Sequence, residues 1–282
     1  MPFAMPDYLS ISPDGLGQDT PVNVRVRGTM ADIARDMAEA MLSLIQQVRS
    51  EGRQATLIVP VGPVDQFPVL ADRINTQRCD CSDVVIINMD EYVDEQDQWV
   101  EAEHPLSFRG YMDRKFYNLI DPLLAPKPEN RVFPDPRDAG GIQRRIRDRG
   151  GVDACFGGIG INGHIAFNEP PEPDRTCSVD EFAALPTRVL DLSRETRTIN
   201  SVTVGGEISV IPHRAITVGM QEILASRKLR FYCNRPWQSS VVRRVLHGPV
   251  TSACPASLLR THPDAELTIA DYVAALPDIR LR

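Results

Sequence analysis

The apolar positions of this chain fall into two rhythms. Between Thr29 and Gly52, residues Met30, Ile33, Ala34, Met37, Met41, Leu44, Ile45 and Val48 recur every three or four positions, the spacing that lines one face of a helix. One long amphipathic helix is predicted there, ending at Gly52, because glycine tolerates the backbone conformation found just past helix ends. Elsewhere the apolar residues come in short unbroken runs: Thr56 to Val61, Val84 to Met89, Val152 to Ile159, Ala215 to Val218, Leu229 to Cys233 and Glu266 to Ala270. Runs of this kind suit strands covered on both faces. Helical patterns separate them near Gln66 to Asn75, Ser107 to Asn118, Gly141 to Asp148, Met220 to Ser226 and Trp237 to Leu246.

Alternation of strand and helix predicts an α/β fold, with a mostly parallel sheet and helices on both faces. No repeat, low-complexity tract or clear linker divides the chain, so a single domain over residues 21–282 is expected. Residues 1–20, rich in Pro, Gly, Ser and Asp, read as an irregular leader. In parallel sheets, chemistry gathers just beyond the carboxyl ends of the strands. That rule selects three loops: PVGPVDQ after the run ending at Val61, DEYVDE after the run ending at Met89, and GGIGINGHIAFNEP from Gly157 to Pro170.

Composition narrows the partners more than the fold. With 282 residues, 42% hydrophobic and 24% charged, the chain is long and apolar enough to bury a sizeable core. A net charge of -7 disfavours nucleic acid or an anionic membrane as principal partner, while a local basic pocket for a small anion stays open. Six cysteines are scattered through a chain too long to need a disulfide framework, so reduced thiols are expected. Cys79 and Cys81 form a C-x-C without a second pair or a nearby His, and no metal site is expected. The N-terminal residues have neither a basic start nor an apolar core, and no apolar run approaches the roughly 20 residues of a spanning helix. A cytoplasmic protein with no membrane partner is expected, and assembly into a homo-oligomer stays open.

The candidate chemistry sits in the selected loops. Gly158, Gly160 and Gly163 form a dinucleotide-type pattern, but Pro170 and Pro171 follow too soon for the helix whose amides would hold a pyrophosphate. His164 and Glu169 then stand as a proton-transfer pair, a carboxylate orienting an imidazole and raising its basicity. The bland alternative is a histidine that braces the loop. Asp90 and Glu91 follow an apolar strand, where partial burial raises a carboxylate's pKa and suits it to act as a base near neutral pH. Their alternative is a solvated acidic loop, since Asp94, Glu95 and Asp97 continue the charge run. The arginines of Gln143 to Arg149 read as a solvated helix face.

At this point NMDEYV, HPLSFRGYM with Phe116, GGIGINGHIAFNEP, ETRTINS, ITVGM and CPASLLRTHP together resemble, in the same order, the glucosamine-6-phosphate deaminases, from about Ala55 to the C-terminus. The resemblance implies a Rossmann-like fold shared with sugar-phosphate isomerases and lactonases. It implies an enzyme that converts an aldose amine to a ketose and releases ammonia without metal or organic cofactor. It also implies roles: Asp90 as the base that moves the C2 proton, His164 as the ring-opening acid/base, Glu169 as its carboxylate partner, and Asn162 at a position where many members have Asp. Gly62, Glu91, Gly160 and Gly163 become candidates for lining the sugar or sugar-phosphate site. A lactonase-type hydrolase and a non-catalytic sugar sensor are the alternatives.

The phosphate-holding positions depart from this pattern. Val61-Gly62-Pro63-Val64-Asp65 offers no hydroxyl where the family has a run of Gly with Ser or Thr, Pro63 lacks an amide donor, and Asp65 repels an anion. Val202 stands where an arginine is common, and Gln238 where a lysine is expected. Arg197 and Arg235 are the nearby cations able to compensate. The expected substrate is therefore a small sugar or sugar phosphate, an amino sugar or related aldose whose 6-phosphate is absent, displaced or replaced.

Overall fold

The computed structural model describes residues 5–62, 65–172 and 174–279. In chain order the elements are β1 (Asn23–Arg27), α1 (Met30–Ser50), β2 (Thr56–Val59), α2 (Gln66–Gln77), β3 (Val85–Asn88), β4 (Asp90–Val93), α3 (Phe108–Lys115), β5 (Arg131–Val132) and α4 (Gly141–Asp148). They continue as β6 (Ala154–Gly157), α5 (Val179–Ala183), β7 (Arg188–Asp191), α6 (Arg194–Ser201), β8 (Arg214–Thr217), α7 (Met220–Leu224), β9 (Leu229–Cys233), α8 (Gln238–His247), β10 (Ala265–Ala270) and α9 (Asp271–Ala274).

Seven strands form a parallel sheet in the order β1-β10-β9-β6-β2-β3-β5, flanked by helices. The predicted α/β, Rossmann-like architecture is the observed one. From β2 the chain builds outward through β3 and β5, then crosses to the other side for β6, β9 and β10. The direction of winding thus reverses at β2 and β6, and a crevice opens at their carboxyl ends. Gly62 follows β2 there, and the stretch from Gly158 to Glu169 follows β6.

The helix predicted from Met30 to Val48 is α1, and its ends obey local chemistry. The Thr29 side chain accepts from the Asp32 amide while Asp32 accepts from the Thr29 amide, a reciprocal capping box. Past its last turn Gly52 takes a φ of 72°. Ile33, Met37, Met41, Ile45 and Val48 are buried in one continuous core with the strands.

Two strand assignments need correction. The run predicted at Ala215 to Val218 does not join the parallel sheet. As β8 it is the middle strand of a separate antiparallel sheet, β4-β8-β7, with Asp90 opposite Thr217 and Arg188 opposite the same Thr217. Asp90 and Glu91, expected in a loop, instead open β4: the chain turns at Met89, and Asp-Glu-Tyr-Val pairs with Arg214–Thr217. The leader carries two short 3₁₀ turns, Asp7–Ser10 and Pro13–Gly15, and Leu16 is buried in the core.

Arg243 ties three separate segments together. Fully buried, it donates from Nε to the Ile11 carbonyl (2.9 Å), from one terminal nitrogen to the Ser239 carbonyl and hydroxyl (3.1 and 3.0 Å), and from the other to the Ala274 carbonyl (2.7 Å). Burial depresses its pKa, and its charge is met by carbonyl dipoles. Arg243→Met keeps the bulk but strands these acceptors, each costing about 1–3 kcal/mol when buried and unpaired. The expected loss is about 3 kcal/mol or more, a fall of several degrees in Tm by scanning calorimetry. A Tm within a degree of the parent would show that the guanidinium does not hold the leader and C-terminus in place.

Candidate active site

The glycine-rich stretch after β6 folds into tight turns. The Gly160 amide donates to the His164 carbonyl (3.0 Å) and the Gly163 amide to the Gly160 carbonyl (3.0 Å). Both glycines are sterically required. A Cβ on Gly160 would collide with the His164 ring, and Gly163 has a φ of 89° with Cys254 Sγ 2.7 Å from where its Cβ would lie. The glycines therefore seat an imidazole. Ala166 takes a φ of 52° in the same loop, a left-handed conformation costly for a residue with a Cβ. The surrounding bonds hold it there.

His164 Nδ1 lies 2.8 Å from Asn162 Oδ1, 3.1 Å from Thr196 Oγ1 and 3.5 Å from Glu169 Oε2. Asn162 Oδ1 also accepts from the His164 amide (3.1 Å), and Asn162 Nδ2 donates to Glu169 Oε2 (2.7 Å). This orientation of the amide makes Oδ1 an acceptor for Nδ1–H, which leaves Nε2 of the neutral ring unprotonated. Burial raises the pKa of Glu169, but hydrogen bonding to His164, the His164 charge, and bonds from Thr196 and Asn162 outweigh it and hold the carboxyl down to about 2. Its other oxygen accepts from the Ser193 amide at the start of α6 (3.4 Å), where the helix dipole favours an anion. Thr196 comes from the first turn of α6, which Ser193 caps.

The loop is fastened to the strand that carries Asp90. Thr217, opposite Asp90, accepts from the Phe167 amide at its hydroxyl (3.0 Å). Asn168 donates to the carbonyls of Ile165 (3.1 Å) and Val218 (2.9 Å) and accepts from Arg188 (2.8 Å). The Val218 amide in turn donates to the Met89 carbonyl (2.6 Å), one residue before Asp90. Tyr92, Phe108 and Phe167 pack their rings together beneath this junction, with centroids 5.0 to 6.1 Å apart. Asp90 itself is 8% exposed, and burial first, then the charge of Glu91, pushes its carboxyl up to about 8.

Glu91, expected to line the sugar site, is a structural cap. It is 0% exposed and accepts from the Ser107 hydroxyl (3.0 Å), the amides of Phe108 (3.0 Å) and Arg109 (2.9 Å), its neighbour Tyr92's amide (2.9 Å) and Arg109 Nε (3.3 Å). The Phe108 and Arg109 amides are free donors at the start of α3, and with the others they spend the Glu91 oxygens within the fold. Ser107 and Arg109 were not singled out as partners in the sequence, although a Ser before a helical pattern is the usual cap signal.

The remaining candidates lie on α6, just past it, and between β9 and α8. Arg197, on α6, donates to the Ile208 carbonyl (3.2 Å). Arg235 follows β9; its amide donates to Gln238 Oε1 (2.7 Å) and its guanidinium reaches Met30 Sδ (3.8 Å). Gln238 Nε2 donates to the Ile159 carbonyl (2.8 Å), so this amide, 1% exposed, stitches the exits of β6 and β9 together. Val202 is 67% exposed. Of the loop after β2, Pro63 and Val64 lie outside the described residues. No cluster of side chains fit to hold a metal ion occurs among the described residues.

No model of a protein family matches the chain. Individual proteins do. The glucosamine-6-phosphate deaminase of Streptomyces avermitilis is 31% identical over 248 residues, spanning 86% of this chain and 89% of that protein. The glucosamine-6-phosphate deaminase of Halothermothrix orenii is 31% identical over 216 residues, 76% of this chain and 83% of that one. Among solved structures, a monomeric glucosamine-6-phosphate deaminase superimposes with a TM-score of 0.78 at 24% identity, covering 91% of this chain and all of its own. A 6-phosphogluconolactonase from Shewanella baltica matches less well, with a TM-score of 0.58 at 20% identity over 88% of this chain and 97% of its own. The identity to the deaminases, sustained over most of both sequences, means that this chain belongs to the glucosamine-6-phosphate deaminase family.

Proposed function

We propose that the protein is an amino-sugar isomerase and deaminase, in which His164 opens the sugar ring and Asp90 moves a proton between C2 and C1. The observation that carries this reading is the fastening of an oriented imidazole, through Phe167 and Thr217, to the strand bearing a desolvated carboxylate. Nε2 of the neutral ring accepts the anomeric proton and returns it to the ring oxygen, which frees the C1 aldehyde. Asp90 then takes the C2 proton and delivers it to C1 while a proton passes from the amino group to the C1 oxygen, leaving a ketose imine. Water adds to the imine, and ketose and ammonia leave. Each positioned acid or base contributes roughly 10² to 10⁴ in rate. The lactonase alternative draws on likeness of fold alone, and a mere sugar sensor has no use for a proton-transfer pair.

We also propose that the far end of the sugar carries no 6-phosphate held by the loop after β2. Helix N-termini at the carboxyl edge of a parallel sheet attract anions through their free amides. Here Asp65 precedes the first residue of α2, and Pro68, in the first turn, has no N–H to offer. Asp65 faces the Tyr111 hydroxyl; burial first and then the Asp65 charge lift that phenol up to about 12. Gln238 is neutral and committed to Ile159 and Arg235. A phosphate dianion needs charge-assisted bonds to offset its lost hydration.

Asp90→Asn keeps the shape of the side chain but accepts no proton. Turnover should fall by roughly 10² to 10⁴ with binding within a few fold, and retention of more than about a tenth of turnover rejects the assignment. Because Asp90 must be ionised to act, and its pKa is raised to about 8, kcat/KM should climb with pH along a limb centred near that value. A limb centred near pH 4, the range of an ordinary carboxylate, would contradict a desolvated base.

His164→Gln separates the two steps. On cyclic substrate it should cost about a hundredfold or more, the loss of one acid/base group, and on an analogue locked in the open-chain form far less. Equal losses on both would place His164 outside ring opening.

For the phosphate question, kcat/KM for glucosamine 6-phosphate should be lower than for an amino sugar with a free or differently charged C6. A large margin in favour of the 6-phosphate would mean that Arg197 or Arg235 has taken over as the anchor.

A further inference from the structure

Helix α6 aims a hydroxyl at the imidazole. Thr196, in its first turn and wholly buried, sets Oγ1 3.1 Å from His164 Nδ1, while Asn162 Oδ1 lies 2.8 Å from the same nitrogen. The hydroxyls that follow it are spent locally. Thr198 donates to the Arg194 carbonyl (2.7 Å), Ser201 to the Thr198 carbonyl (2.7 Å) and Thr203 to the Asn200 carbonyl (2.7 Å), the usual bond of such side chains in a helix. Thr196 reaches out of the helix instead. We propose that Thr196 is a positioning residue for ring opening, whose hydroxyl shares the Nδ1 proton of His164 with Asn162 and supports the imidazolium that forms when Nε2 takes a proton. The inference rests on the reading of His164 as the ring-opening group.

The place of this hydroxyl is fixed from several sides. The Ser193 hydroxyl accepts from the Thr196 amide (3.2 Å) and from Asn162 Nδ2 (3.4 Å), which joins the two neighbours of Nδ1 to each other. One turn on, Asn200 donates to the hydroxyl of Tyr92 (3.1 Å), on the strand that carries Asp90, and Arg197 donates to the Ile208 carbonyl (3.2 Å). The helix cannot turn Thr196 away from the ring without breaking these bonds.

Ring opening moves one proton. Nε2 takes it from the anomeric hydroxyl, the C1–O5 bond breaks with its electron pair going to O5, and Nε2 returns the proton there. Between those steps the ring is a cation with both nitrogens protonated. Glu169 lies 3.5 Å from Nδ1, longer than a good hydrogen bond, and the closer Asn162 is an uncharged amide. A hydroxyl at 3.1 Å gives the same N–H a second acceptor, in a shared bond that strengthens as the ring gains charge. In the neutral ring the two acceptors hold the proton on Nδ1, so Nε2 stays free to act.

The test uses the intact protein with isotope-labelled histidines, and reads ring opening directly as exchange between the anomers of glucosamine and of glucosamine 6-phosphate by NMR. Asp90→Asn, which does not carry the sugar on to product, serves as the parent. Adding Thr196→Val, which keeps the shape, should slow anomer exchange by roughly tenfold, the worth of one hydrogen bond to a charged group, while Thr196→Ser should stay within about threefold. With the ring neutral, the imidazole nitrogen shifts of the parent should show Nδ1 protonated and Nε2 bare, and Thr196→Val should draw the two shifts together as the second tautomer appears. Should the parent fail to speed anomer exchange at all, the reading of His164 falls, and the nitrogen shifts alone then decide the role of Thr196. Otherwise the proposal is overturned if Thr196→Val leaves either readout unchanged, if Thr196→Ser loses as much as Thr196→Val, or if Nδ1 is the unprotonated nitrogen in the parent.

Discussion

Everything in the crevice depends on one joint, the pairing of Thr217 with Asp90 and the bond that Thr217 accepts from the Phe167 amide. The parallel sheet brings the exits of β2 and β6 side by side, but it does not fix the distance from the β6 loop to a side chain on β4. The small antiparallel sheet does. Asn168 adds a second fastening through Val218, whose amide reaches back to Met89. A buried polar network of this kind is stabilising only when every member is satisfied, and here it fastens the His164 loop to strands β8 and β4 as a rigid seat for the proposed acid/base groups. Proton transfer gains from such preorganisation because no reorientation is needed at the moment of reaction.

The electrostatics divide the labour among the carboxylates by environment. Glu169 stays ionised because His164, Thr196, Asn162 and an α6 amide meet its charge. Asp90 has its charge met by none of these and sits beside a second buried carboxylate, so its proton is held more tightly. Glu91 thereby affects the chemistry while spending its oxygens on α3: a capping residue, wholly buried, raises the pKa of its neighbour. Asn162 sets a limit of its own. As an amide it orients Nδ1 and relays position, but it takes no proton from the imidazole, so the negative charge that balances a protonated His164 resides on Glu169 alone.

The sequence was most legible where one interaction decides the outcome. The stripe from Met30 to Val48 and the Thr29 and Gly52 boundaries needed only helical periodicity and caps, and five of the six apolar runs needed only burial, Ala215 to Val218 being the exception. Legibility failed where partners are distant. β1, Asn-Val-Arg-Val-Arg, carries two arginines, and only in the fold do Asp36 and Glu266 pair with Arg25. Asp-Glu-Tyr-Val looked like a charged loop because its two acids are buried by groups 16 to 18 residues later for Glu91 and by a strand more than a hundred residues away. The turn around His164 was more legible because its glycines signal a close approach, and the collision a Cβ on Gly160 would make with the imidazole supplies the physical reason.

The altered far end of the crevice bears on how such a site would reach its rate. Contacts to parts of a substrate remote from the reacting carbons hold it in register and offset the cost of ordering and desolvation, so a truncated ligand loses turnover as well as affinity. On the proposed reading, a site without a phosphate clamp must find that energy elsewhere. Two features point to where. In that reading, Asp65 and Tyr111, which face each other beside the start of α2, are a carboxylate and a phenol of the kind that bind sugar hydroxyls. Gln238, where the resemblance implied a lysine, is an amide fixed between Ile159 and Arg235, which gives rigidity in place of long-range attraction. Recognition through oriented polar groups discriminates between ligands, because one that lacks the matching hydroxyl leaves them unpaired. The narrowing of charge at this end is thus compatible with high selectivity, directed at the shape and hydroxyls of the sugar.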